Sequence, residues 1–196
     1  IVPGSKSTLS DLYELRRNGV AQAIVRAHRA GKTILGICGG YQILGQEVID
    51  PQGVEGELQR LPGLGLLPIT TEMAAEKVTT QASFTLLDDP TPCTGYEIHM
   101  GQSRIVEGFD PSPLVCMADG REEGYLAGTH CMGTYLHGIL DNAVFVDYLL
   151  RPFADRIQDL GAGWDYEAFK QEQYDRLAEH LRQHVDLERI YQIMSV

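Results

Sequence analysis

The sequence predicts an α/β protein with an open, mostly parallel sheet that carries helices on both faces. The first observation is an alternation of helical and short apolar segments, each closed by a glycine, through residues 1–47. The second is the succession of strand, sharp turn and helix around residue 38. Such alternation favours parallel strands, because each helix returns the chain across the sheet. We expect this domain to occupy residues 1–152, followed by a helical extension over 153–196.

The composition is that of an ordinary globular protein, and it excludes several kinds of partner. A formal net charge of -11 disfavours binding to phosphate backbones, so we expect no nucleic-acid partner. No apolar run is long enough to span a bilayer and no secretory leader is present, so we expect no membrane partner. The four cysteines lack C-x-x-C spacing. They are best interpreted as reduced thiols in a cytoplasmic protein.

The first elements can be assigned in order from residue 1. Residues 1–4 are typical of the end of a buried strand, so we expect upstream sequence, including an N-terminal strand, to be missing from this chain. A helix is predicted from about residue 11, capped by Ser7 or Ser10 and ended by Gly19. A second helix over 20–30 ends at Gly31, and a strand over 33–37 follows.

The remaining elements are mostly strands and loops. Residues 50–67 are rich in Gly and Pro and predict loops. Strands are predicted at 69–87, which could be a hairpin, and at 94–101, 114–117 and 126–132. In the strand predicted at 94–101, alternation places the polar side chains of Glu97 and His99 on one face. The opposite face carries Tyr96, Ile98 and Met100. A helix over 143–150 and two tail helices complete the prediction.

The stretch Gly36-Ile37-Cys38-Gly39-Gly40-Tyr41-Gln42 has the pattern of a nucleophile elbow with Cys in place of Ser. The apolar strand leads into the turn, and a helix is predicted over 41–47. Glycines flank the Cys because so tight a turn leaves no room for side chains. The first amides of the helix then point at the sulfur, where they can stabilise a thiolate or an oxyanion. A lone buried Cys is more often structural, but this context favours a nucleophile.

A cysteine nucleophile needs a base, and six histidines are available. His28, His180 and His184 lie in charged helical segments typical of a surface. His130 lies within a predicted strand and could face either way. His137 lies just past a strand end, where active sites of open α/β sheets form, so it is the candidate base.

Four motifs in order resemble those of the glutamine amidotransferase domains of cobyric acid synthases, within the class I amidotransferases. They are residues 1–8, the elbow at 36–42, Gly95-Tyr96-Glu97-Ile98-His99-Met100-Gly101, and Gly133-Thr134-Tyr135-Leu136-His137-Gly138. The resemblance runs from Ile1 to about Leu150. It implies a flavodoxin-like α/β fold and hydrolysis of glutamine to release ammonia.

The resemblance also implies roles for individual residues. Cys38 attacks the side-chain amide of glutamine, and His137 protonates the departing ammonia and then activates water. The oxyanion is held by the amide of Gly39 and by an amide of the Gly4-Ser5 turn. Two further residues would contact the substrate, Gln42 and Tyr135.

The same resemblance implies that this domain is part of a larger, two-domain enzyme. An N-terminal domain would use ATP and Mg to activate carboxylates of a corrin, and would hold that corrin itself. Ammonia from this chain would then amidate the b, d, e and g carboxylates of cobyrinic acid a,c-diamide. The ammonia-producing domain itself would need no cofactor and no metal.

One position departs from the class I pattern. A Glu commonly lies two residues after the His and orients its ring, whereas this chain has Ile139 there. The site could work as a dyad, or another carboxylate could replace the Glu. Asp141 and Glu97 are the candidates, although Asp141 is equally typical of a helix cap.

Three other functions were weighed. The domain could serve a related amidotransferase, of the cobyrinic acid a,c-diamide synthase or the lipid II type. It could be a non-catalytic module on the same fold, against which the intact Cys38 and His137 argue. A metal site is the weakest alternative, because its candidate ligands lack structural-zinc spacing; they are Cys93, His99, Cys116, His130 and Cys131.

Overall fold

A computed structural model describes residues 1–156 and 166–194. The chain divides into two compact units, Ile1–Ile139 and Leu140–Val196. This division lies earlier in the chain than residue 152, where the sequence places the domain boundary. The first unit contains the strands and the elbow, and the second is helical.

Six helices and ten strands are present among the described residues. The helices are α1 (Thr8–Arg17), α2 (Val20–Arg29), α3 (Gly39–Leu44), α4 (Ala143–Leu150), α5 (Tyr166–His184) and α6 (Leu187–Met194). The strands are β1 (Ile34–Ile37), β2 (Glu47–Ile49), β3 (Arg60–Pro62), β4 (Ile69–Leu86), β5 (Asp89–Ile105), β6 (Val115–Met117), β7 (Glu122–Glu123), β8 (Tyr125–Ala127), β9 (Cys131–Thr134) and β10 (Leu136–His137).

The parallel part of the fold surrounds β1. Val2 forms a parallel bridge with Gly36 on one side of β1, and β9 pairs parallel on the other, with Gly36 opposite Gly133. β8 adds to β9 in antiparallel orientation. Because the Val2 segment and β9 run parallel to β1, the residues that follow them lie at the same end of the sheet as Cys38, which follows β1.

A second, mostly antiparallel sheet is built on the long β4–β5 hairpin. β2 pairs parallel with β4, and β3 pairs antiparallel with β2. β10 pairs antiparallel with β5, which places His137 opposite Tyr96. The short β9–β10 connection thus carries the chain from the elbow sheet to the hairpin sheet, and His137 lies just beyond that crossing.

The α/β class predicted from the sequence is confirmed, as is the helical C-terminal part. The sheets are mixed, with parallel pairing confined to β1 and its neighbours and to β2 with β4. The excess of antiparallel pairing comes from the β4–β5 hairpin. The segment predicted at 69–87 is the single strand β4 and not a hairpin by itself, and β5 extends beyond the predicted 94–101 at both ends. Apolar side chains from α1, α3, β1, β4 and the Leu67 loop fill the core of this unit.

Several predicted elements need correction. The helix after Cys38 spans Gly39–Leu44 and not 41–47, and Glu47 is the first residue of β2, which pairs with both β3 and β4. The strand predicted over 126–132 is two strands, β8 and β9, separated by a turn in which Gly128 has a φ of 61°. Loop 50–67 contains β3, and the first helix begins at Thr8.

The second unit contains α4, a 3₁₀ helix (Arg151–Arg156), α5 and α6. α4 has the bounds that the sequence predicted. The parts of the predicted helical extension at 157–165 and 195–196 lie outside the described residues. Across the two described ranges, no helix combines the length and apolar character needed to cross a membrane.

Candidate active site

Cys38 lies on a strained turn between β1 and α3. Its φ of 53° and ψ of -113° make it the one described non-glycine residue with a positive φ. Such backbone is costly for a residue with a Cβ, and it persists where the surroundings fix it. Here the Cys38 amide donates to the Thr134 carbonyl at 2.8 Å, and its carbonyl accepts from the Gln42 amide at 3.1 Å.

Glycines are required around this turn because backbone segments cross it closely. A Cβ at Gly40 would lie 2.0 Å from the Val2 carbonyl oxygen, and one at Gly36 would lie 2.8 Å from the Gly40 backbone. A Cβ at Gly39 would lie 2.7 Å from the Ser5 amide nitrogen. The backbones of residues 39 and 5 therefore approach each other closely beside the elbow.

His137 lies at the end of β10, beside the N-terminal loop. A Cβ at Gly4 would lie 3.3 Å from His137 Cε1 and 3.6 Å from Cys38 Cβ. The loop therefore lies next to both side chains at once. The Tyr96 ring stacks on the imidazole with centroids 5.0 Å apart and planes 8° from parallel. His137 Nε2 is buried and has no hydrogen-bond partner among the described residues.

These groups share one cavity of about 610 Å³. Its lining includes five of the residues chosen from the sequence for catalysis, oxyanion binding or substrate contact: Cys38, His137, Gly4, Ser5 and Gln42. The other lining residues are Lys6, Thr8, Glu55, Met73, Lys77, Ile98, His99 and Met100. Tyr135 and Gly39, which were also predicted, are not among the lining residues.

Burial favours the neutral form of both Cys38 and His137. It raises the pKa of the Cys38 thiol, against a smaller opposing effect of the hydrogen bond from the Gly39 amide, and the charge of Glu55 adds to the rise. It lowers the pKa of His137, and the nearby His99 lowers it further. The thiol proton is directed at the Ile98 carbonyl, 3.5 Å away. The resting site is therefore a neutral thiol beside a neutral imidazole.

Gln42 is fixed by a chain of polar contacts. Its Oε1 lies 2.8 Å from Thr8 Oγ1, and its Nε2 donates to the Tyr135 hydroxyl at 3.3 Å. That hydroxyl lies 2.7 Å from Ser103 Oγ. The buried Tyr135 therefore contacts Gln42 rather than the cavity, which corrects the expectation that its side chain lines the substrate pocket.

Glu55 is a lining residue that the sequence did not reveal. Its carboxylate accepts from the Leu9 amide at 3.3 Å and lies 3.3 Å from Thr8 Oγ1. Its own loop is held by the buried Asp50, which accepts from the amides of Val54 and Glu55. Burial raises the pKa of Glu55. No local signal marks this residue, because its partners lie more than forty residues away in sequence.

The two carboxylates considered for the third catalytic position have different surroundings. Glu97 is buried, with Oε2 accepting from Arg121 at 3.0 Å and Oε1 facing His99 Nε2 at 3.7 Å. Asp141 is exposed, at the end of a 3₁₀ helix (Ile139–Asp141). Ile139, which stands where a Glu is common, is fully buried.

The metal alternative finds no support in the described residues. Within 1–156 and 166–194, no cluster of three or more His, Cys, Asp or Glu side chains could hold a metal ion. All four cysteines are free, and three of them, Cys38, Cys93 and Cys131, are buried.

Comparison with known proteins agrees with the motifs. Residues 1–145 match the family of CobB/CobQ-like glutamine amidotransferase domains. A cobyric acid synthase of Bacteroides fragilis is 63% identical over 195 residues, which cover 100% of this chain and 39% of that protein. Cobyric acid synthases of Phocaeicola vulgatus and Syntrophobacter fumaroxidans are 57% and 42% identical over 100% of the chain, which covers 39% and 41% of their lengths.

Similarity to solved structures is weaker. A crystal structure of a glutamine amidotransferase is 20% identical, with a TM-score of 0.48, over 79% of this chain and 76% of that one. The assignment does not depend on it. The family match covers residues 1–145, and the three relatives named above are 42–63% identical over the whole chain. The chain belongs to the CobB/CobQ-like glutamine amidotransferase family.

Proposed function

We propose that this chain is the glutaminase domain of a cobyric acid synthase. The observation that carries the proposal is the meeting of three features at one cavity: Cys38 on a strained elbow, His137 with an unpartnered Nε2, and glycine backbone crossing above both. A purely structural cysteine would need none of these. Relatives named cobyric acid synthase at up to 63% identity support this member of the family over the related amidotransferases.

In the first half of the reaction, the Cys38 sulfur forms a bond to the amide carbon of glutamine. His137 takes the thiol proton and gives it to the departing nitrogen, so the C–N bond breaks and ammonia leaves. The oxyanion would be held by the Gly39 amide and an amide of the Gly4-Ser5 turn. The strained backbone keeps these amides in place before the substrate arrives.

In the second half, neutral His137 removes a proton from water. The resulting hydroxide attacks the thioester carbon, the C–S bond breaks, and the proton returns to the sulfur. The products are glutamate and the regenerated thiol. The lowered pKa of His137 suits this step, because a base must be unprotonated near neutral pH.

Recognition of the amino-acid end of glutamine would use charged residues at the cavity. An α-amino acid presents one cation and one anion. The cavity lining supplies Glu55 for the ammonium group, and Lys6 or Lys77 for the carboxylate. Gln42, fixed by Thr8 and Tyr135, would contact the side-chain amide.

The ammonia would serve a reaction on a part of the protein outside this chain. The relatives are much longer than the chain, which covers about 40% of them. We infer an N-terminal synthetase domain that uses ATP and Mg and holds the corrin, cobyrinic acid a,c-diamide. Its b, d, e and g carboxylates would receive the ammonia. This assembly would act in the cytoplasm.

The glutaminase reaction is tested with purified chain and with the full-length protein. We expect glutamate release to be abolished in Cys38→Ala and reduced by at least about a hundredfold in His137→Ala. Cys116→Ala is the matched control, because Cys116 lies outside the cavity lining. Unchanged glutamate release in Cys38→Ala would refute the proposed mechanism.

The destination of the nitrogen is tested with the full-length protein, ATP, Mg and the corrin diamide. Glutamine labelled with ¹⁵N at its amide should transfer label to the corrin in the wild type. The Cys38→Ala protein should transfer label only when free labelled ammonia replaces glutamine. Transfer from glutamine in that variant would show that this site does not supply the nitrogen.

A further inference from the structure

Tyr96 contacts the proposed base without lining the cavity in which the reaction takes place. It lies opposite His137 in the antiparallel pairing of β5 with β10. The two rings stack with centroids 5.0 Å apart and planes 8° from parallel, which is the geometry of an offset aromatic pair. Tyr96 is 43% exposed and is not among the lining residues. It therefore touches the base but is not placed to touch a substrate.

The backbone beside Tyr96 lies close to the backbone of His137. A Cβ at the neighbouring Gly95 would lie 2.5 Å from the His137 carbonyl oxygen, so this position requires glycine. Residues that lie opposite each other in an antiparallel pair carry their side chains on the same face of the sheet. The register and the close approach at Gly95 together place the Tyr96 ring on the imidazole.

The His137 imidazole lacks a carboxylate partner within the described structure. Its Nε2 is buried and has no hydrogen-bond partner among the described residues. The position where a ring-orienting Glu is common carries the apolar, fully buried side chain of Ile139. The Glu97 carboxylate lies 3.0 Å from Arg121 and 3.7 Å from His99. The stacked Tyr96 ring is therefore the side-chain contact that remains to define the plane of the imidazole.

A stacked ring can serve the proposed reaction in two ways. Proton transfer from Cys38 needs a ring nitrogen directed at the sulfur, and contact across a whole face limits rotation of the imidazole. Once His137 has taken the proton it is a cation, and an aromatic face within about 6 Å attracts a cation. This attraction is strongest while His137 holds the proton, so it stabilises the transition state more than the resting site.

We propose that Tyr96 is a positioning residue for His137, and that its stacked ring fixes the plane of the base and favours the cation that forms during the reaction. This inference rests on the proposed function and deepens it. Tyr96 acts through His137 and takes no part in bond making. It supplies orientation in a chain that has Ile139 where a Glu commonly orients the ring.

The orientation of the base is measured in the purified 196-residue chain without substrate. A Cβ at Gly4 would lie 3.3 Å from His137 Cε1, so the proton on Cε1 should show a nuclear Overhauser effect to the Gly4 α protons. Tyr96→Leu keeps an apolar side chain but removes the ring, and this effect should weaken. Tyr96→Phe keeps the ring and should retain the wild-type intensity. An undiminished effect in Tyr96→Leu would overturn the inference.

The consequence for the reaction is measured as glutamate release by the full-length protein with ATP, Mg and the corrin diamide. Tyr96→Leu should lower kcat about tenfold and leave KM for glutamine within about twofold, because the lost contact is to the base and not to the substrate. Tyr96→Phe should keep both constants within about twofold of the wild type, because the aromatic face remains. A residue that only stabilised the sheet would not separate kcat from KM in this way.

Tyr13→Leu is the matched control, since Tyr13 is 47% exposed on α1 and absent from the cavity lining. It should leave kcat and KM unchanged. Three results would each overturn the inference: an unchanged kcat in Tyr96→Leu, a rise in KM alone, or an equal loss of kcat in Tyr96→Phe. The last result needs no folded Tyr96→Leu protein, because a marked fall of kcat in Tyr96→Phe already assigns the effect to the hydroxyl.

Failure of this inference and failure of the proposed function give different results. The measurement of ring orientation needs no glutamine. A wild type whose Cys38 does not react with glutamine analogues would defeat the function, while the contact to Gly4 would still report whether Tyr96 orients His137. Glutamate release that depends on Cys38 but is unaffected by Tyr96→Leu would defeat only the inference.

Discussion

Cys38 and His137 carry opposite pKa shifts, and both shifts favour neutral side chains. Burial is the first cause in each case. A neutral pair holds no preformed thiolate, so attack on the amide requires proton transfer during the reaction. At the scale of single residues, the proposed attack therefore depends on proton transfer from Cys38 to His137 during the reaction.

The pH dependence of Cys38 alkylation follows from this shift. Because burial raises the pKa of the thiol, the thiolate forms at higher pH than in a free cysteine. The rate of modification by iodoacetamide, measured on the Cys38 peptide by mass spectrometry, should therefore reach half its maximum above about pH 8.5. A half-maximum well below that value would show a preformed thiolate and contradict the neutral resting pair.

Glu55 is expected to contribute to binding rather than to chemistry. Glu55→Gln should raise KM for glutamine on the order of tenfold with kcat little changed, since one charged hydrogen bond is lost in ground state and transition state alike. Burial raises the pKa of Glu55, and its carboxylate becomes protonated as the pH falls through that pKa. The KM of the wild type for glutamine should therefore increase as the pH falls.

Glu57→Gln is the control for this prediction, because Glu57 is exposed and outside the lining. Steady-state kinetics of glutamate release measure both variants. A fall in kcat at unchanged KM in Glu55→Gln would assign the carboxylate to the reaction instead.

At the scale of elements, the elbow and both strand segments of the hairpin could be predicted from the sequence, whereas their pairing and the full length of β5 could not. Gly36, Gly39 and Gly40 are each required because another backbone segment approaches closely, so their spacing in the sequence indicates the tight turn. β2 is absent from the prediction, because its three residues are defined by pairing with strands elsewhere in the chain. His137 was found from its place at a strand end, whereas Glu55 was missed because loops far apart in sequence position it.

The close approach of backbone at the elbow predicts that even a methyl side chain at Gly40 will destabilise the turn. Gly40→Ala places a methyl group 2.0 Å from the Val2 carbonyl oxygen, so the N-terminal segment and α3 must separate. We expect a loss of about 1–3 kcal/mol in the free energy of unfolding and loss of the reactive geometry at Cys38. Chemical denaturation and alkylation rates measure the two effects.

Gly31→Ala serves as the control for the elbow, because a Cβ there meets no atom within 4 Å. It introduces backbone strain at a φ of 73° but no steric conflict with another segment. It should leave Cys38 reactivity intact. Equal loss of reactivity in both variants would show that the close approach at Gly40 is unimportant.

Glu123 connects β7 to the segment that leads to His137. Its carboxylate accepts from the Tyr135 amide at 2.7 Å and from the Thr134 hydroxyl. Burial raises the pKa of Glu123 to about 7. Between the ordinary pKa of a glutamate and that value, the folded chain binds more protons than the unfolded chain, so stability should fall as pH rises from about 4.5 to 7.

Glu123→Gln should remove this contribution, since an amide does not titrate. Urea unfolding across that pH range measures the slope in both proteins. Relative to the wild type, the variant should gain stability as pH rises through this range, because only the wild-type carboxyl acquires a buried charge. An identical slope in both proteins would mean that Glu123 does not titrate as its burial requires.

At the scale of the whole molecule, the chain covers about 40% of the length of its cobyric acid synthase relatives. A neutral Cys38–His137 pair is consistent with our proposal that ammonia release is coupled to an acceptor on the inferred N-terminal domain.

The central claim is that Cys38 is the nucleophile of a glutamine pocket, and one measurement tests it most directly. The chain is incubated with a diazo-ketone analogue of glutamine, alone and with excess glutamine, and adducts are mapped by peptide mass spectrometry. The structure predicts a single adduct on Cys38 that glutamine prevents and that Cys38→Ala lacks. An adduct on Cys93, Cys116 or Cys131 instead, or one on Cys38 that glutamine does not reduce, would contradict the account.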